Sequence, residues 1–214
     1  MITLYGRATA FNVLKVGWLL EELELTYKHV SVGGRFGGLD TPEFEKLNLH
    51  KKVPALVDGE RSIWESHTIL RYLAATYGKD NFYSADPFER SLQERWMDWS
   101  QSVFQPAFMN VFWGYYRQPA AKRDLRFIES HLEKCRFHLE ALDKQLGNTR
   151  FLAGESLSTA DIPAGSVLYR LTEIGLDVTL PKHVEQWYDH LKQRPGYQKW
   201  VMGDFTELFG RASF

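Results

Sequence analysis

Few side chains in this 214-residue sequence combine a reactive type with a spacing that chemistry can use. The seven histidines form no ligand pattern with carboxylates of the His-Glu-x-x-His kind, so no metal is expected. The one cysteine, Cys135, falls on the apolar stripe Leu125, Ile128, Leu132, Cys135, Leu139, Leu142 and Leu146, where a thiol is core material. Gly33-Gly34-Arg35-Phe36-Gly37-Gly38 is rich in glycine. It lacks the Lys-Ser/Thr of a phosphate loop and opens no helix, so it reads as a loop and not a nucleotide site. Glu65-Ser66 is different, because it stands where a short strand ends and a helix begins. Backbone N–H groups and the helix dipole favour an anion there. The plainer reading makes Ser66 a cap and Glu65 a charge beside it. Phe104, Phe108 and Phe112 step by four along one helical face, with Trp113, Tyr115 and Tyr116 close behind. That face is either core or the wall of an apolar pocket. Ser158-Thr159-Ala160-Asp161 is a capping box, a folding device and not a catalytic pair.

Two kinds of periodicity divide the scaffold that must hold these residues. Residues 2–5 are a short apolar run read as a strand, and 12–24 carry Val13, Val16, Leu19, Leu20 and Leu23 at helical spacing. Residues 27–32 read as a second strand, and Thr41-Pro42 opens a short helix with Thr41 as its cap. Residues 53–57 and 63–64 are strands around the Asp58-Gly59 turn, and a helix over 66–77 ends at Gly78. The order β-α-β-α-β-β-α specifies an α/β sandwich of thioredoxin type. Residues 80–87 read as a linker, which bounds a first domain over 1–79 and an all-helical one over 88–214. The cysteine-bearing stripe predicts one amphipathic helix of about 25 residues in that second half.

Composition excludes some partners. The 26 basic and 27 acidic residues leave a net charge of −1, so no electrostatic footprint for nucleic acid or an anionic membrane is expected. No window nears 18 uninterrupted apolar residues, and the first seven residues carry no secretory pattern. With a single cysteine, a reducing cytoplasmic location is expected.

Asn48-Leu49-His50-Lys51-Lys52-Val53-Pro54-Ala55-Leu56-Val57-Asp58-Gly59, then Trp64-Glu65-Ser66 and Ile69-Leu70-Arg71-Tyr72-Leu73, resembles the glutathione-binding half of cytosolic glutathione transferases. Ser158-Thr159-Ala160-Asp161-Ile162 resembles their second half, and the details are closest to bacterial members. The resemblance spans roughly residues 1–200. It implies a thioredoxin-like N-terminal domain, an all-α C-terminal domain, and glutathione as co-substrate. Pro54 resembles the family's cis-proline, which would turn the Val53 N–H and C=O toward the tripeptide's cysteine. Ser66 would hold the γ-glutamyl carboxylate and Glu65 the ammonium. Lys52 leads Arg35, His50 and Lys51 as partner of the glycine carboxylate. Lys51 stands where the family often has glycine, a costly exchange if that position needs positive φ.

A thiol with a pKa near ~8.5 needs help to ionise at neutral pH. The resemblance puts that help between residues 5 and 12. Ala10 occupies the place where close relatives put serine, which leaves Thr9 and Asn12 as donors and Arg7 as a background charge. No cysteine lies in this stretch, so members that use a protein thiol are not matched. In this family the helix carrying Phe104, Phe108, Phe112 and Tyr116 borders the second-substrate pocket, and a tail with Phe205, Leu208, Phe209 and Phe214 would close over it. The expected function is attack of the glutathione thiolate on an apolar small-molecule electrophile, by conjugation, dehalogenation or disulfide reduction, in a homodimer paired through residues 66–77 and 90–112. The alternative is a non-catalytic protein that binds glutathione or a hydrophobic ligand.

Overall fold

The computed structural model describes residues 1–78 and 81–212. The domain boundary expected at 79 and 80, and the terminal Phe214, lie outside the described residues. The first half runs β1 (Ile2–Tyr5), α1 (Phe11–Glu22), β2 (Tyr27–Val30), α2 (Pro42–Leu47), β3 (Ala55–Asp58), β4 (Arg61–Trp64) and α3 (Ser66–Tyr77). The second half runs α4 (Pro87–Trp99), α5 (Gln105–Val111), α6 (Leu125–Leu146), α7 (Asp161–Glu173), α8 (Lys182–Lys192) and α9 (Pro195–Trp200). Wider π turns at Ser100–Phe104 and Phe112–Arg117 flank α5. No helix among the described residues is long and apolar enough to cross a membrane.

The chain divides into two compact units. The first is Met1–Tyr83 with Pro195–Gly203, and the second is Ser84–Arg194 with 204–212. In the first unit the sheet order is β2-β1-β3-β4, with β1 parallel to β2 and antiparallel to β3, and β3 antiparallel to β4. The expected β-α-β-α-β-β-α order is therefore present. Thr41 caps α2 by accepting from the Phe44 N–H at 3.2 Å. Gly78 ends α3, but its φ of −69° is not left-handed. Space requires the glycine instead, because a Cβ there would lie 2.3 Å from the Ala74 carbonyl oxygen.

The segment 195–203 differs from the expected single C-terminal domain over 88–214, since it packs in the first unit. The reason is local. Tyr197 meets Trp18 of α1 edge-on at 4.8 Å, and Trp200 fills a notch that Gly17 leaves in the same helix. A Cβ at Gly17 would sit 2.1 Å from the Trp200 ring. With β1, α3 and α9 all packed against it, α1 buries nine of its twelve residues.

In the second unit α6 covers 22 residues and buries Ile128, Leu132, Cys135, Leu139, Leu142 and Leu146 as expected. Leu125 is the exception, 70% exposed at the first turn, where no neighbour covers the stripe. Burial pushes the Cys135 thiol up to about 12, which keeps it inert. The helical spacing of Phe205, Leu208 and Phe209 yields only a single 3₁₀ turn at Thr206–Leu208. Phe205 packs on Phe112, Tyr116 and Tyr169, and the Gly210 N–H donates to the Tyr116 carbonyl at 2.9 Å.

Asp161 anchors the start of α7. Its carboxylate is wholly buried and accepts from the Ser158 N–H (2.9 Å), the Ser158 hydroxyl (3.2 Å), the Leu152 N–H (2.9 Å) and Trp187 Nε1 (3.1 Å). The reach back to Ser158 is the one the capping box predicts. The Ser158 hydroxyl instead accepts from Ala160 N–H at 3.2 Å, one residue earlier than expected. Burial raises the carboxyl to about 6 against the pull of these four donors. Asp161→Ala would orphan buried donors worth ~1–3 kcal/mol each, so a loss of at least about 3 kcal/mol in urea denaturation is expected. A loss under about 1 kcal/mol would show that the network is not an anchor.

Candidate functional site

Strand register decides which loops meet. Tyr5 pairs with Val30 on one side and with Ala55 on the other, and Ala55 pairs with Trp64. The chain leaves β1 and β2 at this end of the sheet, enters β3 here, and leaves β4 here. The stretch 6–12 (the connection from β1 and the first turn of α1), the loop after β2, Val53-Pro54 and Glu65-Ser66 are therefore gathered at one end of the sheet. Of the residues marked by the sequence, Arg7, Thr9, Asn12, Arg35, His50, Lys52, Val53, Pro54, Glu65 and Ser66 all lie on these connections.

The Val53–Pro54 peptide is cis. Val53 lies outside β3, and its backbone makes no hydrogen bond to another of the described residues. Glu65 is exposed and holds φ at +68°, a conformation that side chains rarely adopt. Strain of this kind persists where surrounding structure over-determines it, and it clusters at ligand clamps. Ser66 is buried at the first turn of α3, which has no side-chain cap and no acidic residue in that turn. The positive end of a twelve-residue helix thus faces this end of the sheet without an internal carboxylate.

Asn48 organises the loop before Val53. It is buried, its Nδ2 donates to the Lys52 carbonyl at 2.8 Å, and its Oδ1 accepts the His50 N–H at 2.9 Å. Lys51 does take positive φ, +52°, where the family often has glycine. Its ammonium lies 3.5 Å from Glu45 and 4.0 Å from Asp40, so it is engaged on the surface. Lys52 is exposed and has no carboxylate in reach among the described residues, which suits it to an external anion. Arg35 is exposed over the Phe36 ring, and His50 meets Trp64 edge-on at 5.1 Å.

Helix α1 begins at Ala10, which has no side chain to cap it, and its first turn carries no acid. Phe104, Phe108, Phe112 and Tyr116, expected to line a second-substrate pocket, are all buried. Phe104 stacks on Trp99 at 5.3 Å, and Phe112 lies between Phe108 and Tyr116. Phe104 and Phe108 show no surface and Phe112 and Tyr116 very little, so these four rings pack in the interior of the second unit. An apolar face stepping by four fits that role equally well. Arg117 is buried with its guanidinium 4.1 Å from the Trp113 ring.

Comparison with known proteins settles the family. Residues 1–75 match the glutathione S-transferase N-terminal domain, and residues 104–195 match the C-terminal domain of the same family. The chain belongs to the glutathione S-transferase family. Glutathione S-transferase GstB of Escherichia coli K12 is 35% identical over 204 residues, covering 94% of this chain and 98% of the relative. The disulfide-bond oxidoreductase YfcG of the same organism is 31% identical, covering 91% and 92%. The crystal structure of a theta class glutathione S-transferase from Xanthomonas axonopodis pv. citri, with glutathione bound, is 40% identical. It matches with a TM-score of 0.90 over 96% of this chain and 99% of that one.

One buried pair was not legible in the sequence. Lys15 of α1 is wholly buried, and its Nζ lies 3.1 Å from Nε2 of His67. Burial pulls the lysine down to about 7, against the attraction of Glu65. Burial and the Lys15 charge push His67 down to about 2, so the ring is neutral and its Nε2 accepts whenever the lysine is an ammonium. The only signal was a lysine between apolar positions of a helix.

The unfolded lysine titrates near 10.5 and the folded one near 7. Between those values the unfolded chain binds more protons, so stability rises with pH across that window. Below it both states are charged and the burial cost is complete. Lys15→Met is therefore expected to be more stable at pH 7 than the parent, with the difference shrinking toward pH 10. Parallel stability–pH curves from urea denaturation would contradict this.

Proposed function

We propose that this glutathione transferase activates bound glutathione through Thr9 and Asn12 at the entrance to α1, with Arg7 as a background charge. The observation that carries the reading is the convergence of loop 6–12, Val53-Pro54 and Glu65-Ser66 at one end of the sheet. The γ-glutamyl carboxylate sits on the Ser66 N–H and hydroxyl at the start of α3, and Glu65 takes the ammonium. The Val53 N–H and C=O pair with the cysteine of the tripeptide, as an added strand pairs with an edge. Lys52, with Arg35 and His50, receives the glycine carboxylate. The sulfur then faces the start of α1, where a helix N-terminus and two neutral donors favour the thiolate. The thiol proton passes to solvent, the sulfur forms a bond to the electrophilic carbon, and the leaving group departs with its electron pair.

Two neutral donors depress the thiol pKa modestly, so substrates with good leaving groups react best. Disulfides are among them: the thiolate attacks one sulfur, forms a mixed disulfide and expels the other as thiolate. The likeness to a relative named as a disulfide-bond oxidoreductase favours this as a second reaction. The test is spectroscopic titration of bound glutathione, with calorimetric affinity, in the parent and in Thr9→Ala, Asn12→Ala, Ala10→Ser and Glu65→Ala. Both donor variants are expected to raise the thiol pKa, and Ala10→Ser to lower it. Glu65→Ala should cost ~1.5–3 kcal/mol of affinity. Parent-like pKa values in both donor variants would remove Thr9 and Asn12 from the chemistry.

The cellular setting belongs to the same reading: a cytoplasmic detoxification enzyme acting as a two-fold homodimer. The contact uses α3 and the helical run over 90–112. Tyr77 and Val103, large apolar side chains left exposed there, support that face. Light scattering is expected to give twice the 24.9 kDa chain mass, and a monomer in dilute solution would sink the dimer.

A further inference from the structure

Backbone hydrogen bonds help fix the course of residues 6–10. The Gly6 N–H donates to the Val30 carbonyl at 2.9 Å, the Arg7 N–H to Val32 at 3.0 Å, and the Ala10 N–H to Arg7 at 3.0 Å. A side chain of β2 adds to them. His29 of β2 places its Nε2 2.7 Å from the Gly6 carbonyl. A carbonyl only accepts, so Nε2 carries the proton in this contact. Gly6 itself leaves no freedom, since its φ is +144° and a Cβ would come within 2.4 Å of a Val13 methyl.

The histidine ring is held in turn. Trp200 of α9 meets it edge-on at 5.0 Å. Trp200 is buried in the Gly17 notch, and its Nε1 donates to the Tyr27 hydroxyl at 2.9 Å. That hydroxyl donates to Glu21, which also takes the Lys199 ammonium at 2.6 Å. Neither His29 nor Trp200 has a part in the tripeptide contacts proposed above.

We propose that His29 is a positioning residue for thiol activation: its Nε2–H fixes the Gly6 carbonyl, and with it the course of the chain that carries Thr9 and leads into α1 at Asn12, while Trp200 holds the ring in place. This rests on the reading that loop 6–12 faces the sulfur. The carbonyl sets the plane of the Gly6–Arg7 peptide, from which the rest of the loop departs. Losing the bond frees that plane without touching the residues that grip the two ends of glutathione.

The test compares His29→Leu, which keeps the bulk and loses the donor, with His29→Gln, which keeps an N–H donor. Trp200→Leu tests the clamp. His29→Leu is expected to lower kcat roughly 3- to 10-fold, the equivalent of one neutral hydrogen bond, and to raise the thiol pKa of bound glutathione. The KM for glutathione should stay within about twofold of the parent, because the hydrogen bond acts on the loop and not on the tripeptide's ends. His29→Gln should recover most of kcat, and Trp200→Leu should shift kcat and pKa in the same direction as His29→Leu. A folded His29→Leu protein with parental kcat and thiol pKa overturns the proposal. So does a His29→Gln protein no better than His29→Leu. Should His29→Leu fail to fold, the parent decides by ¹⁵N-resolved NMR of its histidines. Protonated Nε2 at His29 is expected, and a neutral Nδ1–H tautomer overturns the proposal. If Thr9→Ala and Asn12→Ala leave the thiol pKa unmoved, the loop reading has failed. If they move it and His29→Leu does not, only the positioning role has failed.

Discussion

Burial of α1 on nearly every side is the constraint from which the site follows. The sheet, α3 and α9 each take part of its surface, and Gly17 and Gly196 let α9 approach closely. A Cβ at Gly196 would lie 2.9 Å from the Glu21 side chain, so a larger residue would push the two helices apart. Close-packed interiors respond to a single methyl group. A helix held this way cannot shift along its axis, and neither can the loop that enters it. The donors proposed for the sulfur owe their position to apolar contacts that never touch a substrate.

The same packing sets the electrostatics. Two helix N-termini, at Ala10 and Ser66, lie toward one end of the sheet, and neither has an acidic residue in its first turn. Their partial positive charges remain available to an anionic tripeptide. Glu65 is the one carboxylate on these connections assigned to the ligand, and it sits where an ammonium is expected. Beneath it, Lys15 is a base whose proton is loosely held at neutral pH. A permanently charged group in that interior would carry a larger desolvation cost, and His67 meets that cost only in part.

Much of this was legible in the sequence, for identifiable reasons. Periodicity of two and of three-to-four, with the turn and cap residues between the runs, read the element order of the first unit, because these are short-range signals. The Ser158–Asp161 capping box, the Thr41 cap and the cis Pro54 were legible because they are short-range or motif-bound. Long-range matches were not. Nothing near Gly17 announces Trp200, and nothing near Pro195 announces that the chain returns to the first unit. Phe104, Phe108 and Phe112 show the limit of a stripe: it says that a face is covered but not by what. Lys15 escaped because a lysine among apolar residues reads as a surface side chain, and only the fold supplies the histidine that faces its ammonium.

Ala10 ties these strands together. A serine there would place a hydroxyl at the N-terminus of α1, the one position where a side-chain donor and the helix dipole act along the same line. Alanine keeps the dipole and gives up the donor. Dipole effects near a helix end are worth ~0.3–1 kcal/mol when exposed, less than the ~2.7 kcal/mol that a two-unit thiol shift requires. The remainder has to come from hydrogen bonds whose value depends on geometry more than on charge, since Thr9 and Asn12 are both neutral. Neutral donors lose their effect with small errors of angle and distance. A site that relies on them needs a rigid loop more than one that relies on a cation or a tyrosine. The side-chain tie on the Gly6 carbonyl, and the tryptophan packed behind it, are the kind of support that such a site requires.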